Sequence, residues 1–264
     1  MGYFFVPVTG KPSAYALRII GKNGLEQRGI IAENAGVYIK PEENTSQVSG
    51  PNREAVFELK RLIGIDPEAK GIKTIVFDNV SDEVVVDPED VSILTLFTKA
   101  EAVSHKWVFH PTLSTDQIYE ALGKVIKENN LSSRLKLLMP FPDGGIQVIR
   151  MKEDGVSAID KSSLPEVMAL MYGYEKRVPI VMFGDGHNDI PAMTPDSVIP
   201  LTFANAEERV KEFVQAKGGH VSQFDAPEGL GVVDGIKWLL TEKNFFADKS
   251  EQVAAAIKDL FPEL

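Results

Sequence analysis

The sequence contains no cysteine, which excludes disulfides, thiol nucleophiles and thiolate metal sites. It has no run near the roughly 20 apolar residues that span a bilayer. The opening GYFFVPV has no basic leader and is interrupted by Pro7, so no signal peptide is expected. Gly2 is followed by Val6 where a myristoylation motif wants Ser or Thr. Cations are also scarce: 28 Lys and Arg stand against 38 Asp and Glu, a net charge of −10. That balance argues against nucleic acid as the main partner, because phosphate binding along a strand needs surplus Lys and Arg. At an anionic-substrate site the same balance requires a metal or local cations to offset it. The four histidines (His105, His110, His187, His220) show no metal-ligand spacing. No P-loop, dinucleotide fingerprint, Ser/His/Asp arrangement or internal repeat is found. The most telling shortage is local: the first carboxylate in the chain is Glu26. With 264 residues, 44% of them hydrophobic, one or two domains with a sizeable core are expected, in a soluble, cytoplasmic protein with no membrane partner; homo-oligomerisation stays open.

What is present is organised around Val178–Met193, VPIVMFGDGHNDIPAM. Val178–Phe183 suits a buried strand and is too short for a confident helix. Gly184-Asp185-Gly186 ends it with a turn signal, and Asp189 and Met193 lie on helical spacing, so a helix is expected near Asn188. Asp185 then stands at the carboxyl end of a strand, the edge of a parallel sheet where ligands bind. Two carboxylates converging there, with the amide of Asn188, suit Mg²⁺, which takes few protein ligands and keeps several waters. The same residues also fit an Asx turn capping a helix, with Asp189 an ordinary first-turn acid.

Upstream, Tyr3–Val8 reads as a strand, Pro12 as the start of a helix, and Gly29–Ala32 and Val37–Ile39 as strands, a β-α-β opening of a parallel sheet. From Pro41 the texture changes. A helix over residues 52–63, with Ala55, Val56, Leu59, Leu62 and Ile63 on one face, is followed by strands at 72–77, 91–97 and 105–109. Ser114 to Gln117 reads as a capping box opening a helix to about Glu128; strands at 135–139 and 146–151 flank the turn PFPDGG. Parallel texture returns with a helix over 163–172, the organising strand, strands at 198–201 and 220–223, and helices near 205–216, 233–240 and 250–261.

Three pieces together resemble the haloacid dehalogenase superfamily of phosphatases, in its branch with a large α+β cap. GDGHND with trailing Met193 is similar to the metal-binding motif. Thr9-Gly10-Lys11-Pro12, then Glu33-Asn34, is similar to Thr-Gly-Arg-Pro and a downstream Glu-Asn-Gly, with Lys11 in place of Arg. Asp160-Lys161, opening a helix, stands where the family places its catalytic Lys. The resemblance implies a Rossmann-like α/β core with a parallel sheet from residues 1–41 and 158–264, and an inserted α+β cap from 42–157. It implies Mg²⁺ held by Asp185 and Asp189, with Thr9 and Lys161 as catalytic residues on the phosphate. Gly10, Lys11, Asn188, His187 and Arg150 are the implied substrate-binding residues: Asn188 orients by hydrogen bonds, His187 fills the variable slot of the loop, and Arg150 lies with Asp143-Gly144-Gly145 where such caps present a specificity loop. A hairpin turn with a surface Arg fits that last stretch equally well.

The implied activity is hydrolysis of a small phosphorylated metabolite such as a sugar phosphate. One departure stands against it: the Asp-x-Asp-Gly-Thr motif that supplies the family's nucleophile has no counterpart in the eight residues before Thr9. Asp78 and Asp82 follow an apolar strand but lack the Gly-Thr continuation. The expectations are a chain that begins late relative to the natural protein, a degenerate member that binds phosphometabolite or Mg²⁺ without turnover, or a gap closed by another strand.

Overall fold

A computed structural model of the chain describes residues 6–21, 29–41, 43, 45–69, 73–77, 82–86, 90–98, 100–103, 106–109, 114–141, 144–173, 179–226, 229–243, 245 and 250–260. The chain divides into two compact units, residues 1–173 and 174–264. Among the described residues no helix is long and apolar enough to cross a membrane.

In the first unit, Val8 bridges Ile31 in parallel: the Thr9 amide donates to Ile31 O at 2.9 Å and the Ile31 amide to Pro7 O at 2.9 Å. Helix α1 (Ser13–Gly21) lies between them in sequence, and β1 (Ile30–Ala32) carries Ile31. Of the expected β-α-β opening, the described residues show this single parallel bridge, the helix and β1. The chain then reverses: β2 (Val37–Ile39) and β3 (Gln47–Val48) extend β1 as an antiparallel sheet. The reversal uses three consecutive non-glycine residues with positive φ, Glu33 (49°), Asn34 (55°) and Ala35 (69°), a conformation uncommon for any residue but glycine and kept only where the surroundings enforce it. Ala16, Ile30, Ala32, Val37 and Ile39 form the core beneath it.

The rest of the unit is α+β. Helix α2 (Arg53–Leu62) precedes β4 (Lys73–Phe77), β5 (Asp82–Val86), β6 (Ile93–Phe97) and a hairpin of β7 (Ala100–Val103) and β8 (Lys106–Phe109). Helix α3 (Thr115–Glu128), β9 (Leu135–Leu137), β10 (Gly145–Arg150) and α4 (Leu164–Tyr172) complete it. The five-stranded sheet runs β4-β5-β6-β10-β9 with antiparallel pairing throughout. Period-2 alternation sends Leu94, Leu96, Ile146 and Val148 into one core with Ala55, Val56 and Leu59 of α2 and Ile118, Leu122 and Ile126 of α3. Each Leu, Ile or Val among them contributes about 1.5–3 kcal/mol by burial. Thr95, Phe97 and Gln147 are half-buried on the opposite face.

Several local expectations change. Leu62 is 45% exposed and Lys60 is fully buried in its place, because its ammonium donates to Asp90 O. Ser114 has helical dihedrals and no side-chain cap to α3, so the capping box is not formed. Strands β3, β5 and β7 have no counterpart in the periodicity reading. Residues 3–5, His105, His110, Asp78 and Asp143 lie outside the described residues.

The second unit carries the parallel sheet. Strand β11 (Ile180–Phe183) pairs in parallel with β12 (Val198–Thr202), which pairs in parallel with β13 (His220–Val221). Helices α5 (Ile190–Met193), α6 (Glu208–Ala216), α7 (Leu230–Glu242) and α8 (Ser250–Leu260) follow or separate them. Among the described residues strand β11 lies at the edge of this sheet, paired on one side by β12.

Candidate active site

The second unit builds its loop from Gly184 to Asp189. Met182 is buried on β11 and the strand ends at Phe183, where the Gly184 amide still donates to Leu201 O at 3.3 Å. The buried Thr202 hydroxyl donates back to Gly184 O at 2.6 Å. The chain then turns so tightly that a Cβ on Gly184 would sit 2.5 Å from Asp189 Cβ, and one on Gly186 would sit 2.6 Å from Asn188 Oδ1. Close approach calls for glycine at 184, against the Cβ of buried Asp189, whereas at 186 the atom met is the movable end of the exposed Asn188 side chain. Asp189 is buried, and its Oδ2 accepts from the amides of Asp185 (3.2 Å) and Gly186 (3.3 Å). Asp185 and Asn188 are exposed.

Residues 187–189 form a 3₁₀ turn and α5 starts only at Ile190. Asp189 thus precedes the helix instead of lying one turn inside it. The cause is local: its carboxylate folds back onto the loop amides, and Pro191 has no N–H to donate. Outside the loop, the Glu207 amide donates to Asp185 O at 3.0 Å. The Glu207 carboxylate contacts His187 Nδ1 at 3.0 Å and accepts from Arg209 Nε at 2.9 Å. The His187 ring and then Arg209 hold the Glu207 carboxyl down at about 2. Neither Glu207 nor Thr202 was visible from the motif; both act on the backbone around it.

Among the described residues no group of three or more His, Asp or Glu gathers. Two carboxylates on one short loop, one anchored by amides and one facing solvent, match the oxygen-only donor set of Mg²⁺, which keeps most of its waters. They do not match the closed nitrogen and sulfur shell of structural zinc.

The first unit builds its turn from Thr9 to Ser13. Thr9 Oγ1 accepts from the Lys11 amide at 3.1 Å, which leaves the hydroxyl proton free to donate elsewhere. A Cβ on Gly10 would lie 3.0 Å from Asn34 Oδ1. Asn34 in turn donates Nδ2 to Gln147 Oε1 at 3.3 Å, and Gln147 Nε2 donates to Thr95 Oγ1 at 3.4 Å. This chain links the turn to the helix-free face of the five-stranded sheet. The Lys11 side chain is exposed. Lys161 is buried, on a 3₁₀ turn (residues 161–163) that Asp160 caps by accepting from the Ser162 amide at 2.8 Å.

Arg150 is a correction. Its side chain is fully buried, not presented to a ligand. Nε donates to Ser92 O (3.2 Å), Nη1 to Gly50 O (3.2 Å), and Nη2 to Gly36 O (3.0 Å) and Ser49 O (2.7 Å). Ser92 Oγ accepts from both Nε (3.0 Å) and Nη2 (2.8 Å). Burial pulls its pKa down to about 10. The planar fork is saturated by the chain itself, and its role is to tie β10 to the 49–51 segment and the turn after β1.

No family model and no curated protein sequence matches the chain. Solved structures do match its fold. A protein of Thermoplasma acidophilum superposes with a TM-score of 0.53 at 15% identity, over 88% of this chain and 81% of its own. A Thermotoga maritima protein gives 0.54 at 16% identity, over 86% and 82%. A haloacid dehalogenase-like hydrolase from Bacteroides thetaiotaomicron gives 0.50 at 14% identity, over 95% and 85%. The fold is the haloacid dehalogenase-like one, a mixed α/β architecture with a parallel sheet and an α+β region. At these identities the likeness is one of fold.

Proposed function

We propose that this protein is a Mg²⁺-dependent phosphohydrolase acting on a small phosphorylated metabolite such as a sugar phosphate. The observation that carries this reading is the Gly184–Asp189 loop, which ends a parallel strand with a glycine packed against Asp189 and two carboxylates of different exposure. Asp185 and Asp189 would hold the ion; when bound it supplies charge neutralisation for the phosphoryl oxygens. Thr9 offers a hydroxyl that accepts from the Lys11 amide and keeps its own proton to donate. Lys161 supplies a buried positive charge fixed by the Asp160-capped turn, and Lys11 an exposed one. Asn188 and His187 flank the carboxylates, with His187 oriented by Glu207.

A second reading rests on the residues of this sequence, among which no Asp-x-Asp-Gly-Thr occurs to supply an aspartyl-phosphate nucleophile. On that reading the protein binds Mg²⁺ and a phosphorylated metabolite without turning it over. Turnover of p-nitrophenyl phosphate with and without Mg²⁺, beside Mg²⁺ titration calorimetry, separates the two. Mg²⁺-dependent hydrolysis abolished in Asp185→Asn supports the hydrolase; Mg²⁺ binding lost in Asp185→Asn with no hydrolysis in either protein supports the binder. Mg²⁺ affinity unchanged by Asp185→Asn sinks both. A panel of sugar phosphates then tests the substrate class.

A further inference from the structure

Glu33 is a fully buried acid for which the proposed reaction has no use. It stands at the first of the three left-handed residues, φ 49°, and every polar group it has is engaged. Its amide donates to Lys11 O at 3.1 Å, while the next amide, that of Asn34, donates to Thr9 O at 3.3 Å. Its carboxylate reaches two other elements. Oε2 accepts from the amides of Val91 (2.9 Å) and Ser92 (2.6 Å), and Oε1 accepts from the Ser13 amide at 3.5 Å. Glu33 therefore brackets Pro12 from both sides and fastens residues 9–13 to the segment that leads into β6. The strained turn persists because these bonds over-determine it. The packing around it is equally tight: a Cβ on Gly36 would fall 1.7 Å from Ser92 Oγ.

The two carboxylate oxygens are held unequally. Oε2 has two short bonds and Oε1 one long one. The long one comes from the first amide of α1, whose N-terminal end carries positive dipole charge and free N–H groups and so favours an anion. We propose that Glu33 is the positioning residue of turn 9–13: its carboxylate occupies the first amide of α1 and yields that amide when an anion binds the turn. The ligand in this inference rests on the proposed phosphate-handling role; the behaviour of Glu33 does not.

A proton on Oε1 breaks only the 3.5 Å contact and leaves the bonds from Val91 and Ser92 intact. The neutral acid thus keeps the turn anchored while releasing the Ser13 amide and removing a negative charge beside it. Anion binding and proton uptake by Glu33 are then linked. The charged groups facing it are Lys60 from α2 and Arg150 from β10, both favouring the ionised form, with buried Asp90 one residue before the Val91 amide. Burial outweighs the three amides and Lys60 and raises the Glu33 carboxyl to about 7. The switch in charge therefore falls within the physiological range.

The test uses inorganic sulfate, whose charge is constant between pH 6 and 8, titrated calorimetrically into the full chain. Wild-type affinity should fall about ten-fold from pH 6 to pH 8, the factor expected when the binding form is a neutral acid titrating near 7. Glu33→Gln should bind sulfate with affinity near the wild-type pH 6 value at every pH. Backbone amide shifts supply a reading free of any ligand: Ser13, Val91 and Ser92 should titrate together near pH 7 in the wild type, so the inference does not depend on the variant folding. Parallel pH profiles for the two proteins, or flat amide shifts with sulfate still binding, overturn the role of Glu33. Titrating amides with no sulfate binding at any pH overturn the anion site and the phosphate-handling role with it, and leave Glu33 as an anchor alone.

Discussion

Two charged side chains fasten the loops of this protein, and they do so in opposite surroundings. Arg150 lies in the interior of the first unit with its guanidinium spread over backbone carbonyls. Glu207 lies at the surface of the second, its side chain 43% exposed, holding His187 and Arg209. Each looks like a clasp, but the energetics differ. Removing Arg150 leaves carbonyl groups buried with no donor, whereas removing the Glu207 charge returns its partners to water, which solvates them almost as well. A surface contact can be dense and still stabilise little; an interior one of the same kind is indispensable once built.

Arg150→Met should break this contrast most visibly, lowering unfolding free energy in urea by about 3–5 kcal/mol; Arg150→Lys should not rescue it, since an ammonium cannot span carbonyls on both sides of a planar fork. Next in size is pH. Glu33 takes up its proton more readily in the folded chain than in the unfolded one, with a carboxyl raised from 4.5 to about 7. Its contribution is full below 4.5 and is lost as pH rises to about 7, an effect of at most about 3 kcal/mol. The thermal midpoint should fall across that interval relative to Glu33→Gln, in which this component is absent. Gly184→Ala should cost about 1–3 kcal/mol by overpacking against Asp189, read by chemical denaturation, and should weaken Mg²⁺ binding with it. Asp185→Asn should leave the unfolding midpoint in place and weaken Mg²⁺ about ten-fold or more by calorimetry, a loss of at least about 1.4 kcal/mol. Glu207→Gln should shift stability by no more than about 0.5 kcal/mol; a shift comparable to that of Arg150→Met would erase the distinction between the two clasps.

The parts of this fold that sequence patterning reveals are those governed by local chemistry. The glycine pair around Asp185, the apolar run before it and the helix after Pro12 all declare themselves, because close approach and strand burial restrict residue type at each position. The five-stranded sheet is only partly legible. Asp82–Val86 opens with two acids and Ala100–Val103 is short and mixed, so neither shows the alternation that marks Ile93–Phe97. Lys60 and Arg150 mislead because a long cation normally signals solvent, and what reverses that here is backbone carbonyl from distant parts of the chain, Asp90 O for Lys60 and a set of them for Arg150. Glu33 is the same lesson with the opposite charge. Its place in a short motif is readable; the amides of Ser13, Val91 and Ser92 that surround it are not.

Among the described residues strand β11 has one paired side in its own sheet, and this bears on how the polypeptide can be cut. In residues 174–264 produced alone, Ile180–Phe183 is an edge strand of its sheet, an invitation to add strands from other molecules. Such a fragment is expected to self-associate in a concentration-dependent way.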